Sequence, residues 1–159
     1  MTDLVGAVSE ALTRRGLSLA VAESCTGGLV AARLTARPGA SRFLEAGLVT
    51  YSDAAKESLL DVAPETLAAH GAVSEAVARA MIQGVRVGTG AEAAIAITGV
   101  AGPGGGTAEK PVGTVWIGVA LNETVRVRRF HFEGDRGAVR DASVNTALEL
   151  LHGILEETA

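Results

Sequence analysis

The sequence predicts an α/β fold, a three-layer α/β/α sandwich built around a mixed, mostly parallel sheet with an antiparallel hairpin. Short apolar runs rich in Val, Ile and Ala alternate with segments whose apolar residues recur at helical spacing. A chain of 159 residues with 48% hydrophobic content is long enough to bury one full core. Neither an internal repeat nor a linker interrupts it, so we expect a single domain over residues 1–159.

The first third of the chain alternates helices and strands. Apolar residues at helical spacing predict a helix over 3–15, and the run LSLAVA predicts a buried strand over 17–22. We expect a helix after Gly28 and a second strand over 43–50, in which Gly47 is the candidate bulge residue.

Helices dominate the middle of the chain. Ser52 or Asp53 is expected to cap a helix that runs through Leu60. Proline at its start predicts a short helix over 64–70. Ser74 is expected to begin a longer amphipathic helix.

The last third of the chain supplies the hairpin. A strand is predicted over 92–98, and two more over 113–121 and 124–132. The tight turn between the last two makes them antiparallel, which is why the sheet is predicted to be mixed. Asp135 then caps a long final helix that ends near residue 156.

Composition excludes several classes of protein. The net charge is −4, and the one basic cluster, over 126–129, is interpreted as a solvated strand face, so we expect no nucleic-acid partner. Cys25 is the only cysteine, which fits a reducing compartment. The sequence shows neither a signal peptide nor an apolar run of membrane-spanning length, so we expect a cytoplasmic protein without a membrane partner.

The segment AESCTGG, residues 22–28, joins a predicted strand to a predicted helix and carries small polar residues. Ser24 has three interpretations. It could cap the helix, it could bind phosphate in an anion cradle with Thr26, Gly27 and Gly28, or it could be a nucleophile that needs a base. Local sequence alone favours the cap or the cradle.

Lysine is scarce, since Lys56 and Lys110 account for only two of the 14 basic residues. Both fall in candidate site regions. A lysine in an apolar pocket loses charge by desolvation, and its neutral amine can take a proton from a serine. A solvated surface lysine is the ordinary alternative. Tyr51 could relay a proton or hold a ligand, or it could be a core aromatic residue.

The glycine-rich loop over 99–113 resembles a phosphate loop in composition but lacks the P-loop pattern. Its glycines permit close approach of a ligand to the backbone. Arg136 and Arg140 could clamp a phosphate or pair with Asp135 and Asp141 at the surface. Cysteine and histidine do not occur at metal-ligand spacing, so we expect no metal and no cofactor.

Four stretches together resemble the CinA C-terminal domain family. They are AESCTGG, VTYSDAAKESLL, GAVSEAVARAM and AITGVAGPGGGTAEKPVGTVWIG, in order and over nearly the whole chain. The characterised activity of that family is nicotinamide-nucleotide amidohydrolase. The larger CinA proteins carry an additional N-terminal domain, and this chain resembles the stand-alone form.

The resemblance implies an α/β/α fold and hydrolysis of nicotinamide mononucleotide (NMN) to the acid with release of ammonia. The family's serine nucleophile falls on Ser24, and its tyrosine and lysine fall on Tyr51 and Lys56. The family's ITG threonine falls on Thr98. An arginine early in the last helix falls on Arg140, with Arg136 as the near alternative.

The resulting hypothesis has Ser24 attack the carboxamide while Lys56 accepts its proton and Tyr51 relays or positions that proton. Backbone N–H groups around Thr26, Gly27 and Gly28 would stabilise the oxyanion. The substrate-binding residues would further include Thr98, Gly99 and Gly102, and Arg140 would hold the phosphate.

Two other functions stay open at this point. The domain could bind a nucleotide without turnover, or it could be a serine amidase acting on another carboxamide. The small, alanine-rich helix faces suit packing between subunits as well as a monomer core, so a homo-oligomer also stays open.

Overall fold

The computed structural model describes residues 3–159, and the bounds of its helices and strands follow the predicted order. The elements are α1 Leu4–Arg15, β1 Leu19–Glu23, α2 Leu29–Thr35, a 3-10 turn Ala40–Arg42, β2 Leu44–Val49, α3 Asp53–Leu60, α4 Pro64–His70, α5 Glu75–Thr89, β3 Ala93–Gly99, β4 Thr114–Leu121, β5 Thr124–His131 and α6 Arg136–Glu157. None of the helices within residues 3–159 combines the length and apolar composition of a membrane span.

The sheet within residues 3–159 has five strands in the order β2-β1-β3-β4-β5. β1 lies between β2 and β3 and is parallel to both. β4 is antiparallel to β3, and β5 is antiparallel to β4, with Asn122 in the left-handed region at the turn between them. The predicted mixed sheet with an antiparallel hairpin is therefore confirmed.

Helices cover both faces of this sheet, as predicted for a three-layer sandwich. Alternate residues of β1 face opposite layers: Leu19 and Val21 pack in the same cluster as α1 and α6, whereas Ala20 and Ala22 pack with α5. β3 repeats the pattern, with isoleucine toward α6 and alanine toward α5. The small side chains let α5 approach the sheet closely.

The predicted bulge at Gly47 is wrong. The irregularity in pairing lies between Leu19 and Ala20, opposite the start of β2, and Gly47 pairs regularly with Val21. Glycine suits position 47 because little space is left there for a side chain. A Cβ at this position would lie 3.1 Å from the Cβ of Ala31 on α2.

The parallel strands β1, β2 and β3 end at one edge of the sheet. Ser24 follows the end of β1, Thr50 and Tyr51 follow β2, and the glycine-rich loop follows β3. Carboxyl ends of parallel strands are where open α/β sheets bind ligands. The topology therefore brings together three segments that are far apart in sequence.

Gly84→Ala is expected to lower the free energy of unfolding by about 1–3 kcal/mol, the usual cost of overpacking. Gly84 lies on α5, and a Cβ there would overlap the backbone carbonyl of Leu60 at the end of α3. Gly88→Ala on the same helix is the matched control, because a Cβ there meets nothing within 4 Å. In the control, the higher helix propensity of alanine should raise the free energy of unfolding by about 0.5–1 kcal/mol. Denaturant unfolding of both variants measures the two free energies of unfolding. Equal values for Gly84→Ala and Gly88→Ala would contradict the close packing of α3 on α5.

Candidate active site

Ser24 lies directly after β1, in a turn that reverses into α2. Its N–H donates to the Ile97 carbonyl over 3.0 Å, which extends the pairing of β1 with β3 by one residue. Gly27 and Gly28 have φ values of 59° and 101°, a region that suits glycine. The side chain of Ser24 is 8% exposed, so the turn holds the hydroxyl at the edge of the core.

The N–H groups at the start of α2 are hydrogen-bonded to a side chain of this protein. The buried carboxylate of Glu23 accepts hydrogen bonds from the N–H groups of Val30 and Ala31, at 3.0 and 3.1 Å. The N-cap position is Gly28, and Ser24 makes no capping bond there. The helix-cap interpretation of Ser24 is therefore wrong. Glu23 binds the N–H groups of Val30 and Ala31, which lie beyond the predicted anion cradle of Thr26, Gly27 and Gly28.

The hydroxyl of Ser24 instead meets Lys56. Ser52 caps α3, and Lys56 lies one turn into that helix with its side chain turned inward and only 1% exposed. Its Nζ lies 3.0 Å from Ser24 Oγ, 2.8 Å from the Thr50 carbonyl oxygen and 3.3 Å from the Tyr51 carbonyl oxygen. The two residues that the sequence singled out are in direct contact.

Burial lowers the pKa of Lys56 from its ordinary value of 10.5, against a smaller opposite effect of the Asp53 carboxylate. The surroundings suit a neutral amine. Its two N–H bonds can donate to the carbonyls of Thr50 and Tyr51, which leaves the lone pair directed at the hydroxyl of Ser24. This is the arrangement that a serine needs in order to lose its proton.

Lys110, the other lysine, makes its hydrogen bond outside the contact between Ser24 and Lys56. Its Nζ donates to the His70 carbonyl at the end of α4, over 2.6 Å. It therefore anchors the glycine-rich loop to α4, while Lys56 contacts Ser24.

A pocket of about 300 Å³ opens above Ser24 and Lys56. Its wall includes Thr98, Gly99 and Gly102 from the end of β3 and the loop after it. The hydroxyl of Thr98 donates to the Ala72 carbonyl over 2.9 Å and joins the loop before α5 to this wall. The residues that line the pocket are Ser24, Cys25, Tyr51, Lys56, Ala72, Val73, Thr98, Gly99, Val100, Ala101, Gly102, Gly104, Gly105 and Arg136.

Tyr51 contributes to the site in two ways. Its carbonyl accepts from Lys56, and its side chain is 58% exposed at the pocket mouth. The phenol oxygen accepts a hydrogen bond from Arg136 Nη2 over 2.9 Å and makes none to Ser24 or Lys56. The phenol therefore faces the entrance, and the expected proton relay through it has no hydrogen-bonded path in this structure.

The two arginines of α6 have different surroundings. Arg136 lines the pocket, and its Nη1 donates to the Gly102 carbonyl over 2.7 Å. Arg140 lies one turn further and donates from Nε to the Cys25 carbonyl over 3.2 Å and from Nη2 to the Thr26 carbonyl over 3.0 Å. Arg140 therefore contacts the backbone of the Ser24 turn, and the pocket cation is Arg136, the predicted alternative.

Three more of the predicted substrate-binding residues do not line the pocket. Thr26, Gly27 and Gly28 belong to the Ser24 turn but are not among the residues that line the pocket. The N–H of Gly27 donates to the Ser24 carbonyl over 3.0 Å, so it is not free for an oxyanion.

Comparison with known proteins identifies the family. The CinA C-terminal domain family matches residues 1–155. The chain belongs to this family. A CinA-like protein of Syntrophotalea carbinolica is 51% identical over 96% of this chain, and a CinA-like protein of Geobacter sp. strain M21 is 52% identical over 91%. The chain spans 37% and 35% of the lengths of these two relatives.

Solved structures of CinA superfamily proteins share the fold. The protein from Klebsiella pneumoniae is 43% identical with a TM-score of 0.93, and the match covers 98% of this chain and 97% of that one. A competence/damage inducible protein from Agrobacterium tumefaciens is 42% identical with a TM-score of 0.93, covering 97% and 94%. These similarities confirm the three-layer fold that the resemblance implied.

Two features of this CinA domain were not predicted as parts of the site. Ala72 and Val73 line the pocket; they lie in the stretch GAVSEAVARAM, which carried the resemblance but was given no role in the site. The Glu23 carboxylate binds the N–H groups at the start of α2. Burial raises the pKa of the Cys25 thiol to about 11, so this neighbour of Ser24 stays protonated near neutral pH.

Among residues 3–159, His, Cys, Asp and Glu side chains form no cluster that could hold a metal ion.

Proposed function

We propose that this CinA-family domain is an amidohydrolase that converts the carboxamide of NMN to the carboxylate of nicotinic acid mononucleotide and releases ammonia. The observation that carries the proposal is the buried amine of Lys56, 3.0 Å from the hydroxyl of Ser24 on a pocket wall. Lysine is almost never fully buried, and Lys56 is only 1% exposed, so it is not the solvated surface lysine of the ordinary alternative. The identity of the substrate rests on the family resemblance.

In the first step, Ser24 Oγ attacks the carboxamide carbon and Lys56 Nζ takes the proton of the hydroxyl. A tetrahedral intermediate forms, with the negative charge on the former carbonyl oxygen. Lys56 then gives its proton to the departing nitrogen, the C–N bond breaks, and ammonia leaves. An ester between Ser24 and the nicotinoyl group remains.

Hydrolysis of the ester reverses these roles. Lys56 accepts a proton from water, the resulting hydroxide attacks the ester carbon, and the C–O bond to Ser24 breaks. Lys56 returns the proton to Ser24 Oγ, and the carboxylic acid leaves and loses its proton to the solvent. Arginine could not replace Lys56 in this cycle because its guanidinium stays protonated.

Product analysis tests the proposal. The purified chain incubated with NMN should yield ammonia and nicotinic acid mononucleotide in equal amounts, measured by an ammonia assay and by chromatography. Nicotinamide and benzamide serve as comparison carboxamides. Rapid turnover of either one, with none of NMN, would favour an amidase with another substrate. Binding of NMN without ammonia release would favour a non-catalytic nucleotide-binding module.

Arg136→Gln is expected to raise KM for NMN by about 10–100-fold and to change kcat little, because we assign Arg136 to the substrate phosphate. One charge-assisted bidentate contact contributes roughly this much. Nicotinamide riboside, which lacks the phosphate, is the matched substrate, and its KM should not change. Steady-state kinetics with both substrates check the assignment, and equal losses for the two substrates would contradict it.

A further inference from the structure

We propose that the site also transfers the acyl group of its substrate to small uncharged amines, of which hydroxylamine is the simplest probe. The product is then a hydroxamate in place of the carboxylate. The inference rests on the proposed function, because the acyl group is the one that Ser24 holds as an ester. It follows from the side chains that line the pocket, among which one base serves both halves of the reaction.

The pocket offers few groups that could activate a second nucleophile. Among the residues that line it there is no His, Asp or Glu. Arg136 stays protonated and cannot accept a proton. The thiol of Cys25 is protonated near neutral pH, because burial raises its pKa to about 11. The lining side chains that carry oxygen, nitrogen or sulfur are those of Ser24, Cys25, Tyr51, Lys56, Thr98 and Arg136.

The other two hydroxyl groups of the pocket are already hydrogen-bonded. The Thr98 hydroxyl donates its only proton to the Ala72 carbonyl over 2.9 Å. The Tyr51 phenol accepts from Arg136 Nη2 over 2.9 Å at the pocket mouth. Within residues 3–159, neither hydroxyl is hydrogen-bonded to Ser24 or Lys56. Lys56 is therefore the base that any nucleophile meets beside the ester.

Water has no dedicated side chain in this pocket. The rest of the lining consists of alanine, valine and glycine residues, whose side chains offer no hydrogen bond. An ordered water molecule usually needs several polar partners. The second nucleophile is therefore selected by its size and by its ability to give a proton to Lys56, and a small amine meets both conditions.

Ammonia leaves from the space beside Lys56 in the proposed mechanism, and the reverse of that step brings an amine of similar size to the ester. The mouth of the pocket is open, since Tyr51, Gly104 and Gly105 are exposed there. Hydroxylamine is ammonia with one hydrogen replaced by a hydroxyl group, and it is uncharged at neutral pH. It can therefore enter where ammonia left.

In the transfer step, the nitrogen of hydroxylamine attacks the carbonyl carbon of the ester on Ser24, and Lys56 Nζ takes one of its protons. A C–N bond forms, and the C–O bond to Ser24 Oγ then breaks. Lys56 returns the proton to that oxygen. The product is the hydroxamate of nicotinic acid mononucleotide, and Ser24 and Lys56 regain their starting states.

Product analysis in the presence of hydroxylamine tests the inference. The purified chain is incubated with NMN and increasing hydroxylamine, and the hydroxamate, the acid and ammonia are measured by chromatography and an ammonia assay. The ratio of hydroxamate to acid should rise in proportion to hydroxylamine, while the sum of the two equals the ammonia released. Ser24→Ala is the control and should form no hydroxamate above the reaction without protein.

The methyl ester of nicotinic acid mononucleotide is the matched acyl donor. It gives the same ester on Ser24 as NMN does, with methanol in place of ammonia as the leaving group. At one hydroxylamine concentration, the two donors should therefore give the same ratio of hydroxamate to acid.

Tyr51→Phe tests whether a separate group holds the hydrolytic water. The variant loses the hydroxyl and keeps the ring, and a side chain that is 58% exposed tolerates the change. Because we assign activation of water to Lys56, the ratio of hydroxamate to acid should not change, even if the overall rate does. A shift toward hydroxamate would show that the phenol holds the water.

The outcomes separate the inference from the proposed function. Acid and ammonia without hydroxamate, unequal ratios from the two donors, or a shifted ratio in Tyr51→Phe overturns the inference and leaves hydrolysis of NMN standing. Hydroxamate formed by Ser24→Ala also overturns it, because the amine would then attack the substrate directly. A folded wild-type chain that releases no ammonia from NMN and forms no hydroxamate overturns both.

Discussion

Lys56→Met is expected to lower kcat/KM for NMN by about 10³-fold, within the range that a general base contributes. Methionine has a similar length and suits a site that is 1% exposed. The substitution removes the group that we propose as acceptor of the Ser24 proton, so the hydroxyl would have to attack without a base. Steady-state ammonia release measures the loss.

The pH profile identifies the group that is lost. Only the neutral amine can accept a proton, so wild-type kcat/KM should rise as the pH rises through the pKa of Lys56. Burial lowers that pKa from 10.5, so the rise should be centred below the pH at which an exposed lysine titrates. The residual activity of Lys56→Met should show no such rise. A wild-type profile that falls with pH over this range would contradict the role of Lys56.

Lys110→Met is the matched control for Lys56→Met. The substitution is the same, and it removes the only other lysine, whose Nζ contacts the His70 carbonyl. We expect kcat/KM close to the wild-type value. Loss of activity in Lys110→Met together with near-normal activity in Lys56→Met would reverse the assignment of the base.

Ser24→Ala is expected to lower kcat on the order of 10⁶-fold, as removal of the nucleophile does in serine hydrolases. In the proposed mechanism the hydroxyl forms the bond to substrate, and neither neighbouring side chain can replace it. Cys25 is protonated because burial raises its pKa to about 11, and the hydroxyl of Thr26 is fully buried. Ammonia release over long incubation gives the residual rate.

Binding distinguishes loss of chemistry from loss of structure in Ser24→Ala. The side chain is small and its hydrogen bond in the structure is to Lys56, so affinity for nicotinic acid mononucleotide should persist, as measured by calorimetry. Unaltered ammonia release by Ser24→Ala would exclude Ser24 as the nucleophile. Loss of both binding and cooperative unfolding would instead assign Ser24 a structural role.

Much of the fold follows from local patterns that are printed in the sequence. Asp135 and Ser74 cap helices as predicted, because a side-chain oxygen at those positions satisfies a free N–H of the first turn. Pro64 begins α4 because its missing N–H costs nothing there. The contact of Ser24 with Lys56 was expected from the family resemblance, since local sequence alone favoured a cap or cradle.

The remaining features depend on contacts between distant segments. Arg136 and Arg140 are one helical turn apart, so periodicity puts them on one face and cannot say which meets the pocket. The two arginines are distinguished by their acceptors. Arg136 binds the Gly102 carbonyl and Arg140 binds the Cys25 carbonyl, and both acceptors are far from α6 in sequence. Glu23 was overlooked because a carboxylate at the end of a strand gives no local sign that it will bind a helix that begins six residues later.

A double-variant cycle tests most directly the central claim that Ser24 and Lys56 act as one catalytic unit. It compares kcat/KM for NMN in the wild type, Ser24→Ala, Lys56→Met and the variant that carries both substitutions. The account predicts that the double variant is no less active than Ser24→Ala, because a base without its nucleophile contributes nothing further. Losses that multiply in the double variant would show that the two residues act independently, and would contradict the dyad.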